Sequence, residues 1–127
     1  KSINLKELLK DYPNPIIGQS AGSINLASNT YNSPEEGNNS EPIYFEGLSL
    51  SNLNIEPHFI KDDSKFNELE QYQRNHILNE SKKRPIYALC DGSHIIENDN
   101  TITIYGESYL IPILFNTFNL SPPRSSW

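Results

Sequence analysis

The chain has 127 residues, which is enough for one domain or for part of one. Sixteen acidic residues against ten basic ones give a formal net charge of -6, and no basic stripe is present, which argues against a nucleic-acid partner. The sequence has no apolar run long enough to span a membrane, and its single cysteine, Cys90, excludes an internal disulfide, which fits a reducing cytoplasm.

The first predicted element is an amphipathic helix over residues 2–10, with Leu5, Leu8 and Leu9 on one face. The prolines of segment 11–15 end it. Because the sequence lacks methionine and begins inside this predicted helix, we expect an N-terminal portion to be missing from the chain.

The next segments predict a strand, a tight turn and a second helix. Ile16-Ile17 is typical of the end of a buried parallel strand, and the glycine-containing turn 18–22 leads into a helix over 21–27. Residues 28–42 are rich in Asn, Ser, Pro and Glu and predict a surface loop. Partial alternation over 48–55 predicts a strand that ends close to His58.

A long helix and three strands are predicted in the rest of the chain. The helix covers 62–81, with Asp63 or Ser64 as its N-cap. Its predicted apolar face comprises Phe66, Leu69, Tyr72 or Gln73, and Ile77. The predicted strands cover 85–90, 93–97 and 101–105, the last two joined by a tight turn at 98–100, and a poorly ordered tail covers 121–127. This order predicts an α/β sheet with parallel members and an edge hairpin.

The segment Gly18-Gln19-Ser20-Ala21-Gly22 matches the G-x-S-x-G pattern of a nucleophile elbow. In such an elbow the serine projects from a tight, strained turn, and we expect glycine at 18 and at 22 to avoid a clash of Cβ atoms. The N–H of Ala21, the residue after the nucleophile, is the expected donor to the oxyanion. The pattern therefore predicts Ser20 as a nucleophile.

A serine nucleophile needs a base, and the chain offers three histidines. His58 follows a predicted strand end, as Ser20 does, and the carboxyl ends of strands line the ligand crevice of open α/β sheets. His76 falls within the long helix and is typical of a packing histidine, while His94, in the hairpin, is a weaker second choice. His58 is therefore the predicted base.

The sequence offers candidates for the orienting acid at two places, one after a predicted strand and the other in a predicted loop. Asp91 follows the strand 85–90, whereas Glu35 and Glu36 lie in the predicted loop between Ser20 and His58.

Cys90 competes as a nucleophile, but apolar neighbours and the following acid are expected to raise its pKa, which is typical of a structural thiol. No metal-ligand or phosphate-loop spacing is present, so we expect no metal and no cofactor.

Four sequence blocks occur together in one order, and His58 follows Ser20 by 38 positions. The blocks are Gly18-Gln19-Ser20-Ala21-Gly22-Ser23, Phe45-Glu46-Gly47-Leu48-Ser49-Leu50, Ile55-Glu56-Pro57-His58-Phe59 and Leu89-Cys90-Asp91-Gly92-Ser93. In these blocks the chain resembles the peptidase E (aspartyl dipeptidase) family and its relatives, which include cyanophycinase, over roughly residues 3 to 111.

The resemblance implies a three-layer α/β/α fold of the class I glutamine amidotransferase-like type, related to flavodoxin-like sheets, with a mostly parallel sheet. It implies Ser20 as nucleophile and His58 as base, with the family acid at Glu35 or Glu36 and a second acidic position at Asp91. On this view residues 1–120 are the C-terminal portion of a single hydrolytic domain, followed by a flexible tail.

Three departures from the family pattern are visible. The upstream Gly-Gly-Asn segment that completes the oxyanion hole is absent, in line with a missing front portion. The substrate-binding arginine of peptidase E aligns with Gln73, one step from Arg74, and the loop acid is Glu where the family has Asp. These changes put strict Asp-X specificity in doubt.

The sequence therefore predicts a cytoplasmic serine peptidase acting on small peptides through a Ser-His-acid acyl-enzyme mechanism. Its expected partners are a small peptide substrate and either a second copy of the chain or the missing N-terminal segment, with no nucleic acid and no membrane. The alternatives are a non-catalytic binding domain that keeps the elbow as a relic, and a glutaminase-type amide hydrolase. The last is disfavoured because those enzymes use cysteine where this chain has Ser20.

Overall fold

A computed structural model describes residues 4–34, 41–62, 64 and 66–111. The chain divides into two compact units, Lys1–Asn54 and Ile55–Trp127. The helices of the described part are α1 (Leu5–Leu9), α2 (Ala21–Ile24) and α3 (Glu68–Ser81). Its strands are β1 (Asn29–Asn32), β2 (Ile43–Glu46), β3 (Asn54–Glu56), β4 (Ile86–Leu89), β5 (His94–Asn98), β6 (Thr101–Tyr105) and β7 (Ser108–Ile111).

The first unit opens with α1, at the place where the sequence predicts a helix. Asn4 caps it, since its side chain accepts a hydrogen bond from the Glu7 amide. The predicted apolar face is not a buried face: α1 has no buried residue, and Leu8 is 64% exposed. The Lys6 ammonium lies 2.6 Å from the Glu46 carboxylate and lowers the pKa of that group.

The predicted buried strand at Ile16-Ile17 is wrong for the described structure. No strand forms at these residues, and the Ile17 side chain is 91% exposed. A run of two apolar residues carries no periodicity, and it says little about whether a neighbouring strand pairs with it. The predicted helix over 21–27 is shorter than expected and ends at Ile24.

The predicted surface loop 28–42 is wrong at its start, because β1 occupies Asn29–Asn32 and pairs antiparallel with β2. Tyr31 faces Tyr44 in this register, and their rings lie 6.0 Å apart. Cross-strand aromatic pairs of this kind stabilise a two-stranded sheet that is otherwise marginal. Polar composition alone gave no sign of the strand, since Asn29, Thr30 and Asn32 are polar.

The second unit is built on a three-stranded sheet in the order β3-β4-β7. Strand β7, which the sequence did not predict, pairs antiparallel with β4 and brings Ile111 opposite Ile86. Both side chains are buried, as is Ala88, so this pairing supplies the centre of the core. The predicted strand at 85–90 is confirmed by β4.

Helix α3 begins later than predicted. Its N-cap is Asn67, in place of Asp63 or Ser64, and Asn67 and Glu70 form a capping box in which each side chain accepts from the other residue's amide. Ile77, on the predicted apolar face, is buried together with Glu80 and Ser81. The capping box satisfies two free N–H groups, which explains why the helix starts here.

The predicted hairpin is confirmed, with β5 and β6 pairing antiparallel from His94↔Tyr105 to Asn98↔Thr101. Asp99, in the turn, has a φ of 52°, which suits the two-residue turns that match strand twist. The described sheets are thus mixed in character, with antiparallel pairs and one parallel bridge between Ala27 and Ser51, and are compatible with an α/β fold. Among the described residues, no helix has the length and apolar character needed to cross a membrane.

Candidate active site

Ser20 lies on a tight turn directly before α2, as the elbow pattern predicts. Its backbone has φ 50° and ψ -120°, a combination that a non-glycine residue rarely adopts. The Gly22 amide donates to the Gln19 carbonyl at 2.8 Å, and the Ser23 amide donates to the Ser20 carbonyl at 2.9 Å. The Ser23 hydroxyl also donates to the Ser20 carbonyl, at 2.5 Å. These bonds hold the backbone of Ser20 in its strained conformation and leave the residue exposed.

The two glycines of the turn have different roles. A Cβ atom on Gly18 would lie 2.6 Å from the Gly22 carbonyl oxygen, so only glycine fits there without a backbone shift. A Cβ atom on Gly22 would meet no described atom within 4 Å. The expectation that both glycines avoid a clash is therefore correct for Gly18 and wrong for Gly22.

The segment 47–51 contains the start of the strand predicted over 48–55, but its residues instead wrap around the end of α2. Its amides donate to carbonyls that the short helix leaves open, with Leu48 bonded to Asn25 at 2.7 Å and Leu50 bonded to Leu26 at 2.9 Å. A Cβ atom on Gly47 would lie 2.1 Å from the Ala27 carbonyl oxygen. The residues of the second sequence block that resembles the peptidase E family, 45–50, thus help to hold the helix that follows Ser20.

In the second unit, the structure brings His58 and Asp91 together. The His58 Nδ1 atom lies 2.6 Å from a carboxylate oxygen of Asp91, and the two side chains are 64% and 82% exposed. A carboxylate at this position accepts a hydrogen bond from Nδ1–H, which leaves Nε2 as the basic nitrogen of the ring. This is the tautomer that a catalytic base needs.

Backbone contacts explain why these two side chains meet. The amide of Phe59, directly after His58, donates to the Leu89 carbonyl at 2.9 Å. Two residues beyond Leu89, Asp91 lies in a turn that is closed by the Ser93 amide bonding to the Cys90 carbonyl at 3.1 Å. The histidine loop, which comprises residues 57–62, is therefore bonded to the last residue of β4, next to the turn that carries Asp91.

The other titratable candidates lie elsewhere. The His94 ring stacks on Tyr105 across the hairpin, with centroids 4.8 Å apart, and His76 lies half-buried on α3. Glu35 and Glu36 lie outside the described residues. Of the candidate acids, Asp91 is the one for which the structure gives a contact to a histidine.

Cys90 lies directly before Asp91 and is half-buried. Burial raises the pKa of its thiol, and the nearby carboxylates of Glu107 and Asp91 raise it further. A raised pKa lowers the thiolate fraction at neutral pH, and thiolate is the reactive form. These surroundings are those of a structural thiol.

Lys61, Tyr109 and Glu107 form a small polar network beside the histidine loop. The Lys61 ammonium lies 5.3 Å from the centre of the Tyr109 ring, and the Tyr109 hydroxyl is hydrogen-bonded to the Glu107 carboxylate. The bond to Glu107 raises the pKa of Tyr109, and a hydrogen bond with Tyr109 raises the pKa of Lys61. The network therefore holds the ammonium of Lys61, three positions after His58 in the sequence, against the Tyr109 ring.

Arg74, the candidate substrate-binding residue, is engaged by the second unit itself. Its guanidinium lies 5.7 Å from the centre of the Phe59 ring and 5.2 Å from that of Phe66, and it donates to the Lys61 carbonyl at 3.1 Å. Its neighbour Gln73 is half-buried on the same helix.

One feature of the site was missed by sequence reasoning: His58 has a φ of 57°. Such a φ is uncommon for non-glycine residues, although histidine is among those enriched there. The histidine and the serine thus both have unusual backbones. Apart from that enrichment the sequence carries no signal for it, because the residue that follows His58 is held by a tertiary bond, from the Phe59 amide to the Leu89 carbonyl.

A serine on a strained turn before a helix, and a histidine paired with a carboxylate, are features found in hydrolases. The family model for peptidase family S51 matches residues 4–105, and the chain belongs to this family of peptidases. The resemblance to the peptidase E family is thereby confirmed. No protein with a curated description matches the chain. No solved structure matches it either.

Proposed function

We propose that the protein is a serine peptidase of the peptidase E type that hydrolyses small peptides, with Ser20 as nucleophile, His58 as base and Asp91 as orienting acid. Membership of peptidase family S51 supports the peptidase class. The observation that carries the assignment of roles is the hydrogen bond between His58 and Asp91, because it prepares the imidazole for base catalysis. The strained backbone of Ser20 supports its role as nucleophile.

In the proposed reaction, Nε2 of His58 takes the proton of the Ser20 hydroxyl while the oxygen attacks the peptide carbonyl. The Ala21 N–H, at the start of α2, donates to the resulting oxyanion. His58 then gives its proton to the leaving amine, and the C–N bond breaks to leave an acyl-serine. Water, deprotonated by His58, attacks the ester and releases the acid product. Throughout, Asp91 holds the ring and stabilises the imidazolium.

Glu35 and Glu36 remain alternatives for the acid, and Asp91 is preferred because it contacts His58. Of the two substrate-binding candidates, Gln73 is proposed near the substrate side chain, because the guanidinium of Arg74 is already engaged by Phe59, Phe66 and the Lys61 carbonyl. For the fold, we propose the three-layer α/β/α arrangement around a mostly parallel sheet that the family resemblance implies.

The test is covalent labelling with an uncharged fluorophosphonate, which reacts with activated serines. We expect the full-length protein to be labelled, with the adduct located on Ser20 by peptide mass spectrometry, and Ser20→Ala to abolish labelling. Ser64→Ala, a change at an exposed serine of the second unit, is the control and should be labelled like the parent. Equal labelling of the parent and Ser20→Ala would reject Ser20, and no labelling of a folded parent would favour the non-catalytic binding domain.

A further inference from the structure

Arg74 joins helix α3 to the loop that carries His58. Its guanidinium is close to two aromatic rings, Phe59 and Phe66, and a third contact is its hydrogen bond to the Lys61 carbonyl. Phe59 directly follows His58, and Lys61 follows it by three positions. A single side chain therefore holds the histidine loop at two points, one on a ring and one on the backbone.

The chemistry of the contacts requires arginine. A guanidinium is planar and weakly hydrated, so it can stack on aromatic faces while its N–H groups donate in the plane. A lysine ammonium is a compact and strongly hydrated charge, which cannot satisfy both rings and the carbonyl with the same geometry. Arg74 is also half-buried, which strengthens cation–π contacts compared with an exposed site.

We propose that Arg74 is a positioning residue that sets the orientation of His58 towards Asp91, in place of a direct contact with the substrate. The part of this inference that is tested by labelling and by kcat rests on the proposed peptidase function. The Phe59 amide is bonded to Leu89 at the end of β4, and the Phe59 ring is held by Arg74. The backbone at His58, which has a positive φ, therefore has a fixed neighbour on its C-terminal side.

The two roles for Arg74 differ in what they predict for a probe without a carboxylate. A residue that binds a substrate carboxylate affects KM for acidic peptides and leaves labelling by an uncharged fluorophosphonate unchanged. A residue that positions the base slows labelling by any probe and lowers kcat more than it changes KM. A displacement of about 1 Å at a catalytic group can cost on the order of 100-fold in rate.

The experiment compares Arg74→Gln and Arg74→Lys in the full-length protein, with Lys82→Gln as the control. Lys82 is the exposed C-cap of α3, and its ammonium donates a hydrogen bond to the Asn79 side chain at 3.2 Å. Its replacement by Gln therefore removes one positive charge at the end of the same helix. We expect Arg74→Gln to slow fluorophosphonate labelling by about 10- to 100-fold and Arg74→Lys to restore only part of the rate. The control should keep the parent rate, and thermal unfolding shows that each variant is folded.

A second measurement does not depend on activity. The Nδ1 proton and ring nitrogens of His58 are followed by NMR in protein with labelled histidine, and Asp91→Asn defines the spectrum of the broken pair. Arg74→Gln should move these signals towards those of Asp91→Asn, and Lys82→Gln should not. Unchanged labelling together with unchanged His58 signals overturns the proposal, as does a rise in KM alone. If the parent itself is not labelled, the peptidase function fails and the NMR result alone decides the role of Arg74.

Discussion

The two compact units hold their candidate catalytic residues by different means. In residues 1–54, Ser20 is fixed by backbone: the bonds of its turn, the close approach at Gly18 and the segment 47–51 wrapped around α2. In residues 55–127, His58 is fixed by side chains and one backbone bond, through Asp91 and the Phe59–Leu89 contact. We therefore expect the position of Ser20, the proposed nucleophile, to be sensitive to added atoms, and that of His58, the proposed base, to the loss of its partners.

The units also differ in how they bury apolar surface. Helix α1 has no buried residue and Ile17 is almost fully exposed, so the first unit derives little stability from that part of the chain. In the second unit Ile86, Ala88 and Ile111 are buried at the paired strands β4 and β7. We expect local opening to be easier in the first unit than in the second.

The largest expected effect comes from removing the partner of His58, the proposed base. Asp91→Asn keeps the shape of the side chain but favours the wrong tautomer of His58, and we expect kcat/KM to fall by about 100-fold or more. Asp99→Asn is the matched control, because it removes the same charge in the hairpin turn, where Asn tolerates the positive φ. Peptide hydrolysis and fluorophosphonate labelling measure both variants. Full activity in Asp91→Asn would transfer the orienting role to Glu35 or Glu36.

The nucleophile turn is tested by adding one carbon. Gly18→Ala forces a Cβ atom against the Gly22 carbonyl, and we expect the turn to shift, with labelling of Ser20 slowed by at least about 10-fold and unfolding easier by about 1–3 kcal/mol. Gly22→Ala adds the same carbon within α2 where no described atom is near, and helix propensity predicts a gain of about 0.5–1 kcal/mol. Denaturant unfolding and labelling rates compare the pair. Equal effects of the two alanines would contradict the asymmetry of the turn.

The same contrast explains what the sequence could and could not predict. The turn at Ser20 and the β5–β6 hairpin were predictable because local residues determine both. Glycine at position 18 permits the close approach to Gly22, and Asp99 adopts the positive φ of the two-residue turn between β5 and β6. The meeting of His58 and Asp91 was partly predictable, since both follow predicted strand ends.

Two of the wrong predictions share a physical cause, which is that tertiary contacts determine the local structure. The segment 47–51 alternates like a strand, but its amides bond the carbonyls at the end of α2. Strand β1 is polar and forms because β2 pairs with it. The start of α3 is different, since the Asn67 and Glu70 capping box is a local signal that the sequence itself carries.

A smaller effect is expected from a buried carboxylate in the second unit. Glu80 is 1% exposed and accepts hydrogen bonds from Lys83 at 3.0 Å and Arg84 at 3.1 Å. Glu80→Ala leaves the half-buried guanidinium of Arg84 without this partner, and we expect a loss of about 1–3 kcal/mol of unfolding free energy. Glu68→Ala, at an exposed position in the first turn of α3, should cost less than about 1 kcal/mol. Similar losses for the two variants in urea unfolding would show that burial of Glu80 contributes little.

The smallest effect on activity is expected at Cys90, although its chemistry gives a clear pH signature. Its pKa is raised by burial and by two carboxylates, so at about pH 8 less of it is thiolate than in an ordinary cysteine. Alkylation of Cys90 by iodoacetamide should be slower than alkylation of a cysteine in an unstructured peptide. The alkylation rate of Cys90 should also go on increasing with pH in the range where the rate for the peptide has already reached its plateau. Cys90→Ser should retain Ser20 labelling. A nucleophilic cysteine needs a lowered pKa, whereas the negative charges of the neighbouring carboxylates raise the pKa of Cys90. Fast alkylation at neutral pH, or loss of Ser20 labelling in Cys90→Ser, would contradict this structural role and would indicate that the thiol takes part in catalysis.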